Sequence, residues 1–196
     1  MPTTPVELKT MDFDELQPIF AGRRVALVGN AQSIFGKNHG VEIDAHDVVM
    51  RFNYGEIKSP RDQGRRTDVY GLSDARIEWD YIETNFHPRV VIWLTPKPLS
   101  EKLSQPHAIP LFRTPETIAE ELSVKTAPGR PSSGMIASSL VFQKCDAASV
   151  DLYGFDFFQT RTFYHGIRWR FWRKRRMPHV GSSERQVIES MGIAIH

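Results

Sequence analysis

Long apolar runs are missing from this chain. None approaches the roughly 20 residues that carry a helix across a bilayer, so no membrane span is expected. The opening stretch MPTTPVELKTMDFDELQPIF lacks the basic start and apolar centre of a secretion signal. Cysteine is nearly absent too: Cys145 stands alone among 196 residues, which excludes an intrachain disulfide framework. These absences point to a cytoplasmic location, with peripheral contact to a membrane surface left open. Excess charge of one sign is also lacking, since a formal net charge of +2 does not by itself demand a polyanionic partner. Two nucleotide-binding signatures are missing as well. No GxGxxG follows an apolar run and no GxxxxGK[ST] occurs, which disfavours the usual NAD and P-loop readings.

What is present suits an ordinary soluble domain, with 40% hydrophobic and 24% charged residues. Residues 1–20 read as an N-terminal lead and 21–196 as one domain large enough to bury a core. Within the lead, 1–10 looks loose and 12–20 suits a short helix. Asp12-Phe13-Asp14 matches the DxD pattern of metal-holding glycosyltransferases, but it precedes the first core strand, where acids favour a helix start. Short β-branched runs at 25–28, 48–50, 69–72, 89–94 and 149–155 predict strands. Residues 109–112 form a weaker candidate, whose Pro110 suits an edge position. Helical patterns fall at 117–124 and 135–144. The alternation predicts an α/β fold, a single Rossmann-like domain with a mostly parallel sheet.

Chemistry concentrates where these runs end. The 25–28 run breaks at Gly29-Asn30, where glycine admits close backbone approach and asparagine offers a donor and an acceptor. The next run ends in Arg51-Phe52-Asn53, so two strands would deliver Asn30 and Asn53 to one edge of the sheet, where open α/β sheets bind nucleotides. A breaker-rich loop, 128–134, runs through Ser132-Ser133-Gly134 into a helix. Such a junction either caps the helix or binds an anion. The last strand pattern ends at Gly154. Between His165 and His179, six cations from Arg168 to Arg176 alternate with Trp169, Phe171 and Trp172. That segment suits nucleic acid, an anionic lipid surface, a lid over a charged substrate, or simply a solvated face.

Several of these residues also form ordered motifs. Val28-Gly29-Asn30, then Gly40 with Glu42-Ile43-Asp44, then His46-Asp47 through Arg51 and Asn53, resemble the large sialylmotif of the eukaryotic-type sialyltransferases, glycosyltransferase family 29. Pro131 through Met135, Cys145-Asp146 and residues 150–155 resemble the small motif, with Ser133 where threonine is usual. His179 to Glu184 fits the HxxxxE of the very-small motif, and Tyr164-His165 resembles the short third one, although Gly166 stands where an aromatic is usual. The family's paired cysteines are reduced to Cys145, with Val25 in the other place.

The resemblance implies a modified GT-A type fold and an inverting, metal-independent transfer from a CMP-activated sugar acid, with no cofactor beyond that donor. A glycan or glycolipid hydroxyl would be the acceptor. His179 would be the general base, since imidazole titrates near neutrality at about 6.5. His165 would hydrogen-bond the departing phosphate. Gly29, Asn30 and Asn53 would hold the nucleotide. Ser132, Ser133 and Gly134 would present hydroxyl and backbone groups to the donor, with Gly154 on the same side and Glu184 as an orienting partner. The segment 168–176 would meet an anionic acceptor or a membrane-surface glycolipid. Two rivals stay open: a CMP-Kdo transferase on the same fold, and a non-catalytic nucleotide or nucleic-acid binding module using 168–176. The second is disfavoured, because binding alone would not call for both histidines.

Overall fold

The computed structural model describes residues 7–164 and 179–196. The strands are β1 (Leu8–Met11), β2 (Arg24–Val28), β3 (Val48–Phe52), β4 (Val69–Leu72), β5 (Val90–Trp93), β6 (His107–Arg113), β7 (Ser149–Tyr153) and β8 (Ala194–Ile195). The helices are α1 (Phe13–Phe20), α2 (Gly40–Asp44), α3 (Pro60–Gln63), α4 (Trp79–Asn85), α5 (Glu116–Thr126), α6 (Ser133–Ser138) and α7 (Gly181–Ser190). All the strands join one sheet in the order β1-β6-β5-β4-β3-β2-β7-β8, and every pairing is parallel.

The β-branched runs make central strands because both sheet faces are covered. Val25 and Leu27 face a core shared with Leu16 and Phe20 of α1, Leu122 of α5 and Ile188 of α7. Their neighbours Ala26 and Val28 face the opposite side, against Ile43 of α2. Tyr70 and Leu72 pack on that second side with Ile82 of α4. No helix among the described residues is long and apolar enough to cross a membrane.

Strand order also positions the site. From β2 the chain steps through β3, β4, β5 and β6 in one direction, while β7 lies on the other flank of β2. Connections therefore diverge between β2 and β7. In open α/β sheets a crevice forms at the carboxyl ends of strands at such a switch point.

Some local expectations are corrected. β6 is not an edge strand, because it lies between β5 and β1. Its Pro110 is tolerated because the β1 register slips between Leu8 and Thr10, opposite the stretch from His107 to Leu111 that contains it. The edge belongs to Leu8–Met11, of which 8–10 are read from the sequence as part of a loose lead. The expected single helix over 135–144 is α6 followed by a π-helical stretch, Ser139–Lys144. At the start of α1 the helix reading of Asp12 holds. Its carboxylate accepts the Glu15 N–H at 2.9 Å, while Glu15 accepts the Asp12 N–H at 3.0 Å.

Arg51, at the end of β3, is buried with 1% of its surface exposed. Its Nε donates to the Arg66 carbonyl at 2.9 Å and its Nη2 to the Gln63 carbonyl at 2.7 Å, which ties the 63–67 loop to the sheet. Burial pushes the guanidinium down to about 10, so it remains charged at neutral pH. Arg51→Leu leaves those carbonyls unpaired and should lower the unfolding free energy by about 3 kcal/mol. Urea denaturation reads this directly, and an unchanged midpoint would show that the loop holds itself.

Candidate active site

Two glycine turns meet at the switch point. Gly29 follows β2, and its N–H donates to the Tyr153 carbonyl at 2.7 Å; the Ala31 N–H donates to the Gly154 carbonyl at 3.1 Å. A Cβ on Gly29 would stand 2.5 Å from the Gly154 carbonyl oxygen and 2.9 Å from the Phe155 ring. Gly154 itself has φ +69, which favours glycine. On the other side, a Cβ on Gly134 would lie 2.2 Å from the Phe155 ring. Packing of these turns around Phe155, as much as ligand approach, accounts for the glycines.

The flanking asparagines fall where the strands were expected to bring them. Asn30 Nδ2 donates to the Phe52 carbonyl at 2.9 Å, which links the turn after β2 to the end of β3. Asn53, with φ 47, accepts the Ser73 N–H on its Oδ1 at 2.9 Å. The Asn53 Nδ2 makes no hydrogen bond among the described residues. Together Gly29, Asn30, Asn53, Ser132, Ser133, Gly134, Gly154, His179 and Glu184 line one cleft of about 250 Å³. His165 and the segment 168–176 lie outside the described residues.

The loop before α6 and the start of α7 form a single hydrogen-bonded unit. Ser132 donates its N–H to Glu184 Oε1 at 2.8 Å and its hydroxyl to Oε2 at 2.6 Å, while accepting the Met135 N–H at 3.2 Å. The Ser132 hydroxyl is thus turned into the protein. Ser133 hydrogen-bonds Ser73 through their hydroxyls at 2.7 Å. Glu184 is 4% exposed, and His179 Nδ1 lies 3.8 Å from its Oε1. The same Nδ1–H donates to the Arg130 carbonyl at 2.7 Å. A carbonyl can only accept, so this bond fixes the proton on Nδ1 and leaves the lone pair of the neutral ring on Nε2. Phe158 stacks on the imidazole, with centroids 5.2 Å apart and planes 13° from parallel.

Burial raises the Glu184 carboxyl above its ordinary 4.5, and the hydrogen bonds from Ser132 and the neighbouring His179 only partly oppose it. A carboxyl raised in this way contributes fully to stability below its unfolded value and loses that contribution as pH climbs through its folded value. Glu184→Gln mimics the protonated form. Thermal melts across pH should therefore show wild type losing ground to Glu184→Gln as pH rises above 4.5. A difference that moves toward wild type would show that the charged carboxylate is the favoured form.

Other lining residues carried little signal in the sequence. Ser73 follows β4, and Phe155, Phe158 and Thr160 come from the loop after β7. Tyr164 arrives because the chain doubles back beside the turn after β2. The Gln32 N–H donates to the Arg161 carbonyl at 3.0 Å and the Phe163 N–H to the Asn30 carbonyl at 3.0 Å. Burial raises the Tyr164 hydroxyl above its ordinary value. Only the aromatic–histidine motif hinted at that tyrosine. Among the described residues no group of three or more His, Cys, Asp or Glu side chains is disposed to hold a metal ion. Cys145 is buried, which pushes its thiol up to about 12 and leaves it a packing residue.

Comparison with known proteins points the same way as the cleft. Residues 15–93 match the family model described as glycosyltransferase family 29 (sialyltransferase). Human alpha-N-acetylgalactosaminide alpha-2,6-sialyltransferase 2 is 45% identical over 51 residues, covering 26% of this chain and 14% of that protein. A mammalian sialyltransferase, solved in complex with Gal-beta-1-3GalNAc-ortho-nitrophenol, superposes with a TM-score of 0.59 at 18% identity, over 97% of this chain and 75% of that one. The sialyltransferase CstII from Campylobacter jejuni, in complex with the substrate analogue CMP-3FNeuAc, gives 0.57 at 13% identity, over 89% of this chain and 81% of that one. At these identities the superpositions establish the fold, a GT-A-like sheet shared with sialyltransferases. Residues 15–93 are thus similar to the glycosyltransferase family 29 sialyltransferases, and the chain as a whole shares the fold of solved sialyltransferases.

Proposed function

We propose that the chain transfers a sugar acid, sialic acid in the first instance, from a CMP donor to a glycan hydroxyl, with inversion and without a metal. The observation that carries the reading is the imidazole of His179. Its Nδ1–H is held by the Arg130 carbonyl at 2.7 Å, so the basic Nε2 belongs to a cleft that Asn30 and Asn53 also line. In the reaction Nε2 takes the proton of the acceptor hydroxyl as that oxygen attacks the anomeric carbon. The bond from that carbon to the phosphate oxygen breaks, and CMP leaves with the electron pair. The imidazolium formed is stabilised by the Arg130 carbonyl and by Glu184. Asn53 Nδ2 and the first-turn N–H groups at Ser133 and Gly134 would meet the nucleotide and its phosphate. His165 would donate to the departing phosphate. In the same reading the enzyme works in the cytoplasm, and 168–176 meets an anionic membrane surface.

The test is CMP release from CMP-sialic acid and from CMP-Kdo, each with a panel of glycan acceptors and with a chelator added. Turnover of CMP-sialic acid unaffected by the chelator supports the reading. Preference for CMP-Kdo would change the sugar but keep the chemistry. Release from neither donor would leave the cleft without the assigned activity.

A further inference from the structure

Beyond Ser73, Ser133 and His179, the cleft continues into a second hollow of about 360 Å³. These three residues line both spaces and form the wall between them. The floor of the hollow is apolar, built by Leu94, Ala119 and Ile136, and its rim carries Lys97 and Arg130. Among the described residues no aspartate or glutamate lines it. That differs from the nucleotide side, where Asp156 and Glu184 take part.

Some cations among the described residues are held by acids, and the two at the rim are not. Arg24, Lys58, Arg66, Arg76, Lys102 and Arg185 each sit against a carboxylate. Lys97 and Arg130 make no ion pair among the described residues. The acid that feels the charge of Lys97 is Asp74, and it is already held by Arg76, whose Nε donates to it at 2.9 Å. Arg130 is tied to the site through its backbone, because its carbonyl takes the His179 Nδ1–H. Its side chain is exposed at the rim, so positive charge is anchored beside the proposed base. An acceptor seated on the apolar floor would turn its hydroxyl toward Nε2 and its outer substituents toward this unneutralised pair.

We infer that this hollow seats the acceptor, and that Lys97 and Arg130 select a glycan bearing a negatively charged group, a carboxylate or a phosphate. The inference rests on the donor reading only for the direction of transfer. The binding chemistry stands on the hollow itself. Charge recognition between exposed groups is modest per contact and is screened by salt.

The experiment titrates lactose, sialyllactose and a lactose phosphate by saturation-transfer NMR into wild type, Lys97→Gln, Arg130→Gln and the double variant, with CMP titrated into each protein alongside. Both sites are exposed, and melting temperatures check that each variant is folded. Wild type should prefer at least one of the anionic sugars to lactose. Each substitution should reduce that preference about fivefold, and the double variant about twentyfold. Raising the ionic strength until the Debye length falls to about 3 Å should erase most of it. A response to sialyllactose alone assigns the carboxylate, and a response to the lactose phosphate alone assigns the phosphate. Equal binding of all three sugars, no binding of either anion, or variants that keep the full preference would overturn the inference. Failure to bind CMP with the anion preference intact would instead sink the donor reading.

Discussion

His179→Ala should lower kcat by about a thousandfold, the middle of the range for a lost general base, while CMP affinity stays near that of wild type. The split follows from the geometry. His179 is half-buried, held at Nδ1 by a backbone carbonyl and stacked on Phe158, and the nearest acid is Glu184 at 3.8 Å. Glu184 keeps its two hydrogen bonds from Ser132, which preserves the loop in front of α6. Asn30 and Asn53, on the side proposed for the nucleotide, are untouched. A single-turnover assay with a calorimetric CMP titration separates the two effects. Full kcat in the variant would remove His179 from the chemistry, and lost CMP binding would make it a nucleotide contact instead.

Gly29→Ala is the second large effect, and its cause is mechanical. The added methyl carbon would lie 2.5 Å from the Gly154 carbonyl oxygen, a backbone atom that no rotamer change can move. Relief requires β2 and β7 to separate at their carboxyl ends, at a cost of about 1–3 kcal/mol for overpacking. The same movement shifts Asn30 relative to Phe155. A displacement of that kind in a positioning site costs about a hundredfold in rate. The variant should therefore remain folded, with a melting temperature lowered by several degrees, and turn over far more slowly. Gly22→Ala is a control for substitution at a glycine turn, since no atom lies within 4 Å of its Cβ position, though its φ of +68 carries a strain of its own. Wild-type turnover in Gly29→Ala would show that the two turns can part without disturbing the site.

The central strands were legible because Val25–Val28, Val48–Met50 and Val90–Ile92 are continuous β-branched or aliphatic runs, as parallel strands buried on both faces must be. The edges were not. Leu8–Met11 is only partly buried, and β8 is a two-residue strand with no pattern to find. Pro110 misled because the slipped register that accommodates it is a property of the pairing and not of β6 alone. At the site, Asn30 and Asn53 could be placed on one edge, since each directly follows a strand. The Ser132–Glu184 link spans 52 residues and depends on how α6 meets α7, so no spacing announces it. Phe158 and Thr160 sit in a loop whose composition is generic, and only the fold brings them to His179. The candidate site residues that the structure describes, from Gly29 to Glu184, line one cleft. The motifs did not reveal that the Ser132 hydroxyl faces Glu184, or that the glycines serve the packing around Phe155.

The measurement that bears most directly on the account is a crystal structure of the chain soaked with CMP. The account predicts the nucleotide between the turns after β2 and β7, with Asn30 and Asn53 in hydrogen-bonding range of it. The His179 Nε2 should remain free on the side facing Lys97 and Arg130. CMP bound elsewhere, or a cleft that stays empty at saturating CMP, would contradict it.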